Sequence, residues 1–343
     1  MRRLLNTLFV TTQGAYLYKD GETVAIRVER KTRMRLPMHT LEGIICFGRI
    51  SCSPYLLGAC AQKKIGISYM SENGRFLARI QGAVSGNVLL RREQYRRADD
   101  EQSSSAISFA LLAGKLTNSR TVLLRALRDH RHQVDSDVLE SAAQHISALR
   151  KELNPHKPLD ILRGIEGDAA SAYFNVFDHL IIKNKDVFQF KTRNRRPPLD
   201  SVNCLLSFVY TLVLHDVQSA LECVGLDPAV GFLHRDRPGR PGLALDLMEE
   251  FRSFMADRLV LSLINLGQIP ANGFRYLENG AVLLGDDARK RVLIAYQKRK
   301  QSEIMHPFLG EKMPVGLLPY TQALLLARHL RGDLDGYPPF VWR

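Results

Sequence analysis

RFLARIQGAVSGNVLLRREQYRR, residues 75–97, changes its period half-way along. Up to Ile80 the side chains alternate in the two-residue repeat of a half-buried strand, whereas from Asn87 onward apolar residues return at three- and four-residue steps, the repeat of a helix. The glycine-containing stretch 81–86 between them reads as a linker. Everything before this boundary looks like strand and nearly everything after it like helix, so the chain is predicted to be α+β: a small N-terminal β-rich domain over 1–80, a linker over 81–86 and a larger all-α-helical domain over 87–343.

Working outward toward the N-terminus, Tyr16, Val24, Ile26 and Val28 sit in short alternating runs on either side of Asp20-Gly21, a dipeptide suited to a hairpin turn. LEGIICF (41–47) adds a strand, and ISYM (67–70) and RFLARI (75–80) flank a second turn signal at Asn73-Gly74. SPYLLGACAQKK (53–64) has helical spacing behind a Ser53 cap. Toward the C-terminus, apolar residues keep helical spacing over 87–97, 105–130, 137–153, 159–181, 202–224, 243–266, 286–300 and 317–330. No internal repeat interrupts them.

At 343 residues the chain exceeds the size at which one core usually stops growing, in keeping with two domains. Its 48 Lys and Arg against 35 Asp and Glu leave a formal charge of +13 and a pI near 9.7. Such an excess attracts polyanions, nucleic acid first and an anionic membrane surface second. No apolar run is read as reaching the roughly 18 residues of a membrane span, and MRRLLNTLFVTTQGAYLY lacks a signal peptide's long apolar centre and cleavage site, so the expectation is a cytoplasmic protein with no membrane partner. Cys46, Cys52, Cys60, Cys204 and Cys223 are odd in number and never form CxxC, which points to small core residues rather than a disulfide framework or zinc knuckle. The absence of GxxxxGK[ST], of GxGxxG after a strand and of HExxH removes the usual ATP, dinucleotide and zinc-protease sites.

Chemistry concentrates in two places. In GFLHRDRPGRPGLALDLMEEFR (231–252), Pro238 and Pro241 forbid a continuous helix, Gly239 and Gly242 permit a bend, and a helix resumes near Leu243. Asp246 and Glu249 share one face of that helix, and the bend can bring His234 to them. Acids in a first turn are ordinarily dipole-favourable surface residues, but Leu243, Leu247, Phe251, Phe254 and Leu259 make this helix largely buried, and buried acids need a cation or a partner. In LRGIEGDAASAYF (162–174), Gly164 and Gly167 flank Glu166 at a cost of about 1 kcal/mol each in helix stability, which suggests close backbone approach by packing or by a ligand. A simply solvated Glu166 is the other reading.

GIEGDAASAYF (164–174), NCLLSFVYTLV (203–213) and the 231–252 segment resemble, in this order, the three signature segments of the CRISPR-associated spacer-acquisition integrases, the metal-dependent DNA endonucleases of CRISPR adaptation. The resemblance covers essentially the whole chain. It implies a small β domain followed by a helical one, and catalytic residues Glu166, His234, Asp246 and Glu249. Of these, Glu166, His234 and Glu249 would hold metal with Asp246 assisting beside them, and the two acids of DLMEE leave open which binds directly. Two carboxylates and one imidazole suit Mg2+ or Mn2+, the nitrogen leaning toward Mn2+. The implied reaction is attack of a DNA 3′-hydroxyl on a phosphate of the CRISPR repeat, joining a captured fragment without ATP. The implied partners are double-stranded DNA with 3′ ends, CRISPR repeat DNA, a second copy of the chain paired through the N-terminal region, and the small CRISPR-associated adaptation protein.

Basic segments supply candidate phosphate contacts: Lys191, Arg193, Arg195 and Arg196 in FKTRNRRPPLD (190–200), and Arg289, Lys290, Arg291, Lys298, Arg299 and Lys300 in ARKRVLIAYQKRK (288–300). Tyr173, Arg240 and Arg252 lie within the signature segments and are candidates to orient DNA, although an arginine there can equally pair with the acids. Two other readings compete. His234-Arg235-Asp236-Arg237 spells the HxxR of tyrosine recombinases, and a non-enzymatic helical protein could bind DNA through the +13 charge alone.

Overall fold

The structure, a computed structural model, describes residues 6–63, 65–72, 76–80, 82 and 87–342. The Asn73-Gly74 turn and, apart from Gly82, the 81–86 linker lie outside the described residues. In the N-terminal part are β1 (Asn6–Val10), β2 (Tyr16–Asp20), β3 (Thr23–Val28), β4 (Lys31–Pro37), β5 (Leu41–Phe47), β6 (Ser51–Cys52), α1 (Pro54–Gln62), β7 (Gly66–Met70) and β8 (Phe76–Ile80). They form two four-stranded sheets, β1-β5-β7-β8 and β4-β3-β2-β6. The hairpin expected at Asp20-Gly21 pairs Asp20 with Thr23, and Gly21 takes φ +55°, where glycine is not strained. Ser53 caps α1 by accepting from the Leu56 amide at 3.2 Å. The parallel pairings of β1 with β5, β5 with β7 and β2 with β6 leave no signature in an alternating pattern.

One face of each sheet and α1 share a core built on Leu17, Val24, Ile44, Cys46, Leu56, Cys60 and Ile67. The opposite face of the first sheet turns Ile45, Phe47 and Met70 into the helical core, so β5 is buried on both sides. All five cysteines are free and buried or partly buried.

The helical part comprises α2 (Val88–Asp99), α3 (Glu101–His130), α4 (Ser136–Glu152), α5 (Leu159–Asn175), α6 (Ser201–Val224), α7 (Gly242–Met248), α8 (Arg258–Asn265), α9 (Asp286–Gln301) and α10 (Leu318–Leu330). Their starts obey capping chemistry: Asp100, Asp135 and Asp200 accept from the amides of Ser103, Val138 and Asn203. It also carries two short hairpins, β9 (Phe274–Tyr276) with β10 (Val282–Leu284) and β11 (Glu303–Met305) with β12 (Lys312–Pro314). The helix expected over 243–266 is broken: α7 ends at Met248, a turn follows, and Arg252–Asp257 form a π-helical turn before α8. The helix expected over 159–181 likewise stops at Asn175 and continues as a 3-10 turn, Phe177–Leu180.

The reading that no apolar run reaches a membrane-spanning length needs correcting at α6. That helix contains an 18-residue window of mean hydropathy 1.4, but 67% of the window is buried inside the protein, as befits the central helix of the core. The two parts of the chain meet along α6 and α9. Phe47 packs against Phe208 at 5.9 Å, Ser68 bonds His215 at 3.0 Å, and Lys300 donates to Thr7 of β1 at 3.2 Å.

Candidate active site

The segment before α7 is held against the start of that helix by two glycines. A Cβ on Gly231 would lie 2.7 Å from Asp246 Oδ2 and from the Gly242 backbone, and one on Gly242 would lie 2.6 Å from the Ala229 carbonyl. This close approach lets the fully buried Asp246 collect four hydrogen bonds. Oδ2 accepts from the amides of Phe232 (2.6 Å) and Leu233 (3.0 Å), while Oδ1 accepts from the His234 amide (3.0 Å) and sits 2.6 Å from His234 Nδ1. A carboxylate acceptor there places the imidazole proton on Nδ1 and leaves the Nε2 lone pair outward, the tautomer a metal ligand needs. Asp246 thus orients His234.

Glu249, at the C-cap of α7, is also buried. Its Oε1 accepts from Arg252 at 2.9 Å and its Oε2 from Lys115 of α3 at 2.8 Å. Burial opposes ionisation, but Arg252 and Lys115 outweigh it and lower the Glu249 pKa to about 2. The Lys115 ammonium also bonds Glu166 Oε1 of α5, so the two glutamates converge on one nitrogen. Burial would lower the Lys115 pKa, yet Glu249 and Glu166 together raise it above the ordinary lysine value. Gly164 and Gly167 do not serve close packing: a Cβ at either would meet nothing within 4 Å. Their helical face is open.

Of the expected residues, Glu166 and Glu249 are thus brought together on Lys115, and His234 is paired with Asp246. Among the described residues no three His, Cys, Asp or Glu side chains stand close enough to ligate one ion as they lie. The donor set nevertheless fits a divalent cation, because Glu166 and Glu249 already share a cationic partner and His234 is held in the ligating tautomer beside Glu249.

The candidate DNA contacts divide. Lys191, Arg195, Arg196, Lys290, Arg291 and Lys298 are exposed. Arg240 is half-buried, its pKa lowered by burial and then by Arg237, with Arg195 and Arg163 acting in the same direction, so the 191–196 and 235–240 loops bring like charges together near His234. Other candidates are turned inward. Arg193 donates to Asn203 Oδ1 (2.6 Å) and Ser207 Oγ (3.1 Å) and lies over the Tyr210 ring. Arg252 is committed to Glu249 and also covers Tyr210, at 4.7 Å. Arg289, 3% exposed, bonds Asp286 and the Glu72 carbonyl, Lys300 is equally buried against Asp216, and Arg299 lies over the Phe254 ring at 4.8 Å. These side chains fasten elements together instead of facing solvent. Tyr173 is buried too, beside Asp257.

Residues that motif reading missed complete the surroundings. Asp257, in the π-helical turn, accepts from Tyr210 at 2.6 Å, and burial raises its pKa to about 6 against the pull of Tyr210 and Arg252. Glu250 points away from its neighbour Glu249 and accepts from Gln322 and from the Phe340 amide, both at 2.9 Å. Asn118 donates to the carbonyls of Glu250 and Phe340 and accepts from the Trp342 amide. The C-terminal segment is thereby clipped behind the turn that presents Glu249. Tyr173 and Tyr210, the tyrosines beside this cluster, are 3% and 7% exposed, so neither is presented to a DNA phosphate as the recombinase reading would need.

The profile of the protein family described as CRISPR associated protein Cas1 matches residues 8–298. The chain belongs to the Cas1 family. It is 57% identical over 343 residues, the full length of both chains, to the CRISPR-associated endonuclease Cas1 1 of Chlorobaculum tepidum. It is 53% identical over 350 residues, again full length in both, to the CRISPR-associated endonuclease Cas1 2 of Rhodospirillum rubrum. The Cas1 fold is recovered in solved structures as well. A Cas1 protein from Thermotoga maritima superposes with a TM-score of 0.80 at 22% identity, covering 98% of this chain and 100% of its own. A casposase bound to integration product gives 0.82 at 21% identity, covering 98% and 94%.

Proposed function

We infer that this chain is a CRISPR-adaptation integrase, a DNA endonuclease and transesterase that joins the 3′-hydroxyl ends of captured DNA to the CRISPR repeat. The observation that carries the reading is the convergence of Glu166 and Glu249 on Lys115, with the Asp246-bound His234 and a basic rim nearby, in a chain of Cas1 sequence. Glu166, His234 and Glu249 would hold the divalent ion, Mg2+ or Mn2+. When bound, that ion would supply Lewis-acid polarisation of the scissile phosphate and stabilise the charge that develops on its oxygens.

The protein's own groups do the rest. Asp246 keeps the His234 proton on Nδ1, so the outward nitrogen stays a lone-pair donor. Arg252 donates to both oxygens of Glu249, which limits its rotation. Lys191, Arg195, Arg196 and Arg240 bind phosphates and set the strand's path toward the acids, and the bare face at Gly164 and Gly167 leaves the DNA backbone room to approach Glu166. The enzyme works in the cytoplasm as a homodimer paired through the N-terminal sheets, where β4 presents an exposed strand, and it assembles with the small adaptation partner.

Purified protein incubated with a fragment bearing free 3′-hydroxyls and a repeat-containing duplex should form joined product in Mg2+ or Mn2+ and none in EDTA. Product formed equally in EDTA would overturn the reading.

A further inference from the structure

Lys115 is unexpected at the middle of a cation site. Its side chain is only 9% exposed, and its ammonium bonds both Glu249, at 2.8 Å, and Glu166. With Arg252 on Glu249, two carboxylates face two cations, and the cluster is neutral as it stands. Two extra positive charges could not enter beside that neutral cluster, in a setting of low effective dielectric, without strong repulsion from an ammonium already bonded to the same oxygens. One cation has to give way. Arg252 is the worse candidate, because its guanidinium is doubly bonded to Glu249 and stacked on Tyr210, whereas Lys115 ends a flexible four-carbon stem.

We propose that Lys115 is a built-in counter-ion that holds Glu166 and Glu249 together in the metal-free protein and competes with the divalent ion for both carboxylates. The lysine keeps two acids paired that would otherwise repel each other, and it sets a threshold that free metal must exceed before the site loads. This rests on the metal reading above, and its test reads metal affinity and folding, not DNA joining.

The test is calorimetric titration of Mn2+ into EDTA-stripped, full-length protein without DNA, paired with thermal melts in EDTA and in Mn2+. Lys115→Met should bind Mn2+ about ten-fold or more tighter than wild type, because the competing charge is gone. It should also melt lower in EDTA and gain more from Mn2+, while Lys115→Arg stays near wild type. If Lys115→Met does not fold, Lys115→Gln, which retains hydrogen bonding without charge, carries the same expectation. Unchanged or weaker Mn2+ binding by the uncharged variant would overturn the proposal and leave the metal site standing. A wild type and variant that both fail to bind Mn2+ would remove the metal site and the competition together.

Discussion

Asp246 and Glu249 sit three residues apart on one turn and do different work. Asp246 satisfies three backbone amides and one imidazole nitrogen, so Asp246→Ala strands buried donors and should cost about 3 to 5 kcal/mol of stability, read as a fall in denaturant midpoint. Asp246→Asn keeps the shape and weakens the hold on His234. DNA joining should then drop about 10- to 100-fold while the fold survives, as loss of a ligand's supporting group commonly does. Wild-type joining by Asp246→Asn would count against the orienting role. From the sequence, both acids and His234 could be assigned to one corner, since proline, glycine and helical spacing define it. Which acid binds His234 depended on Gly231 touching Gly242, a tertiary contact with no local signature. Lys115, Asn118 and Asp257 were illegible for the same reason: a lysine inside a long amphipathic helix looks like any other until α5 and α7 are packed beside it.

At the level of elements, α9 shows where charge reading fails. ARKRVLIAYQKRK looks like a uniformly basic strip, but the helix turns Arg289 and Lys300 into the seam with the N-terminal part, toward the Glu72 carbonyl and Thr7, and only Lys290, Arg291 and Lys298 out. The 191–196 loop divides in the same way. Neutralising Lys191, Arg195 and Arg196 should flatten the salt dependence of duplex binding by up to about 0.9 in log-log slope per lost phosphate contact. Arg193→Ala and Arg289→Ala should instead lower the melting temperature and leave that slope alone. Equal slope changes for both groups would mean that the inward positions are not maintained in solution. Helix positions were otherwise legible from periodicity and caps, because packing and propensity agree along them. One of the two exceptions, the break after Met248, arises where Glu249 faces the site while Glu250 is drawn back to Gln322 and Phe340; the other is the stop of α5 at Asn175.

Across the whole molecule, the β-rich and helical parts are joined by a polar seam that includes a titratable group. His215 is fully buried, and desolvation lowers its pKa to about 4, with Arg79 and Lys300 adding to the effect and Asp216 opposing it. The folded state therefore refuses a proton that the unfolded chain accepts near its ordinary value of about 6.5. Stability from this site is complete above that value and is lost as pH falls from about 6.5 toward 4, by about 3 kcal/mol in all. Asp257 runs the opposite way, its raised pKa adding stability in acid that is lost as pH rises through about 6. The contrast between wild type and His215→Gln isolates the histidine: the variant should lose less melting temperature between pH 7 and 4.5, and parallel losses would remove His215 from the seam's pH response. The division into β-rich and helical parts was visible in the change of period at 75–97, whereas the parallel sheet order and the seam were not, since both join residues distant in sequence. The most direct measurement at this scale is DNA joining by Glu166→Ala, His234→Ala and Glu249→Ala in Mn2+, with DNA binding and melting temperature recorded for each. Joining should vanish in all three while DNA binding largely persists, and Glu249→Ala, which leaves Lys115 and Arg252 short of a partner, should also melt lower. Full joining by all three would contradict a metal centre on these residues.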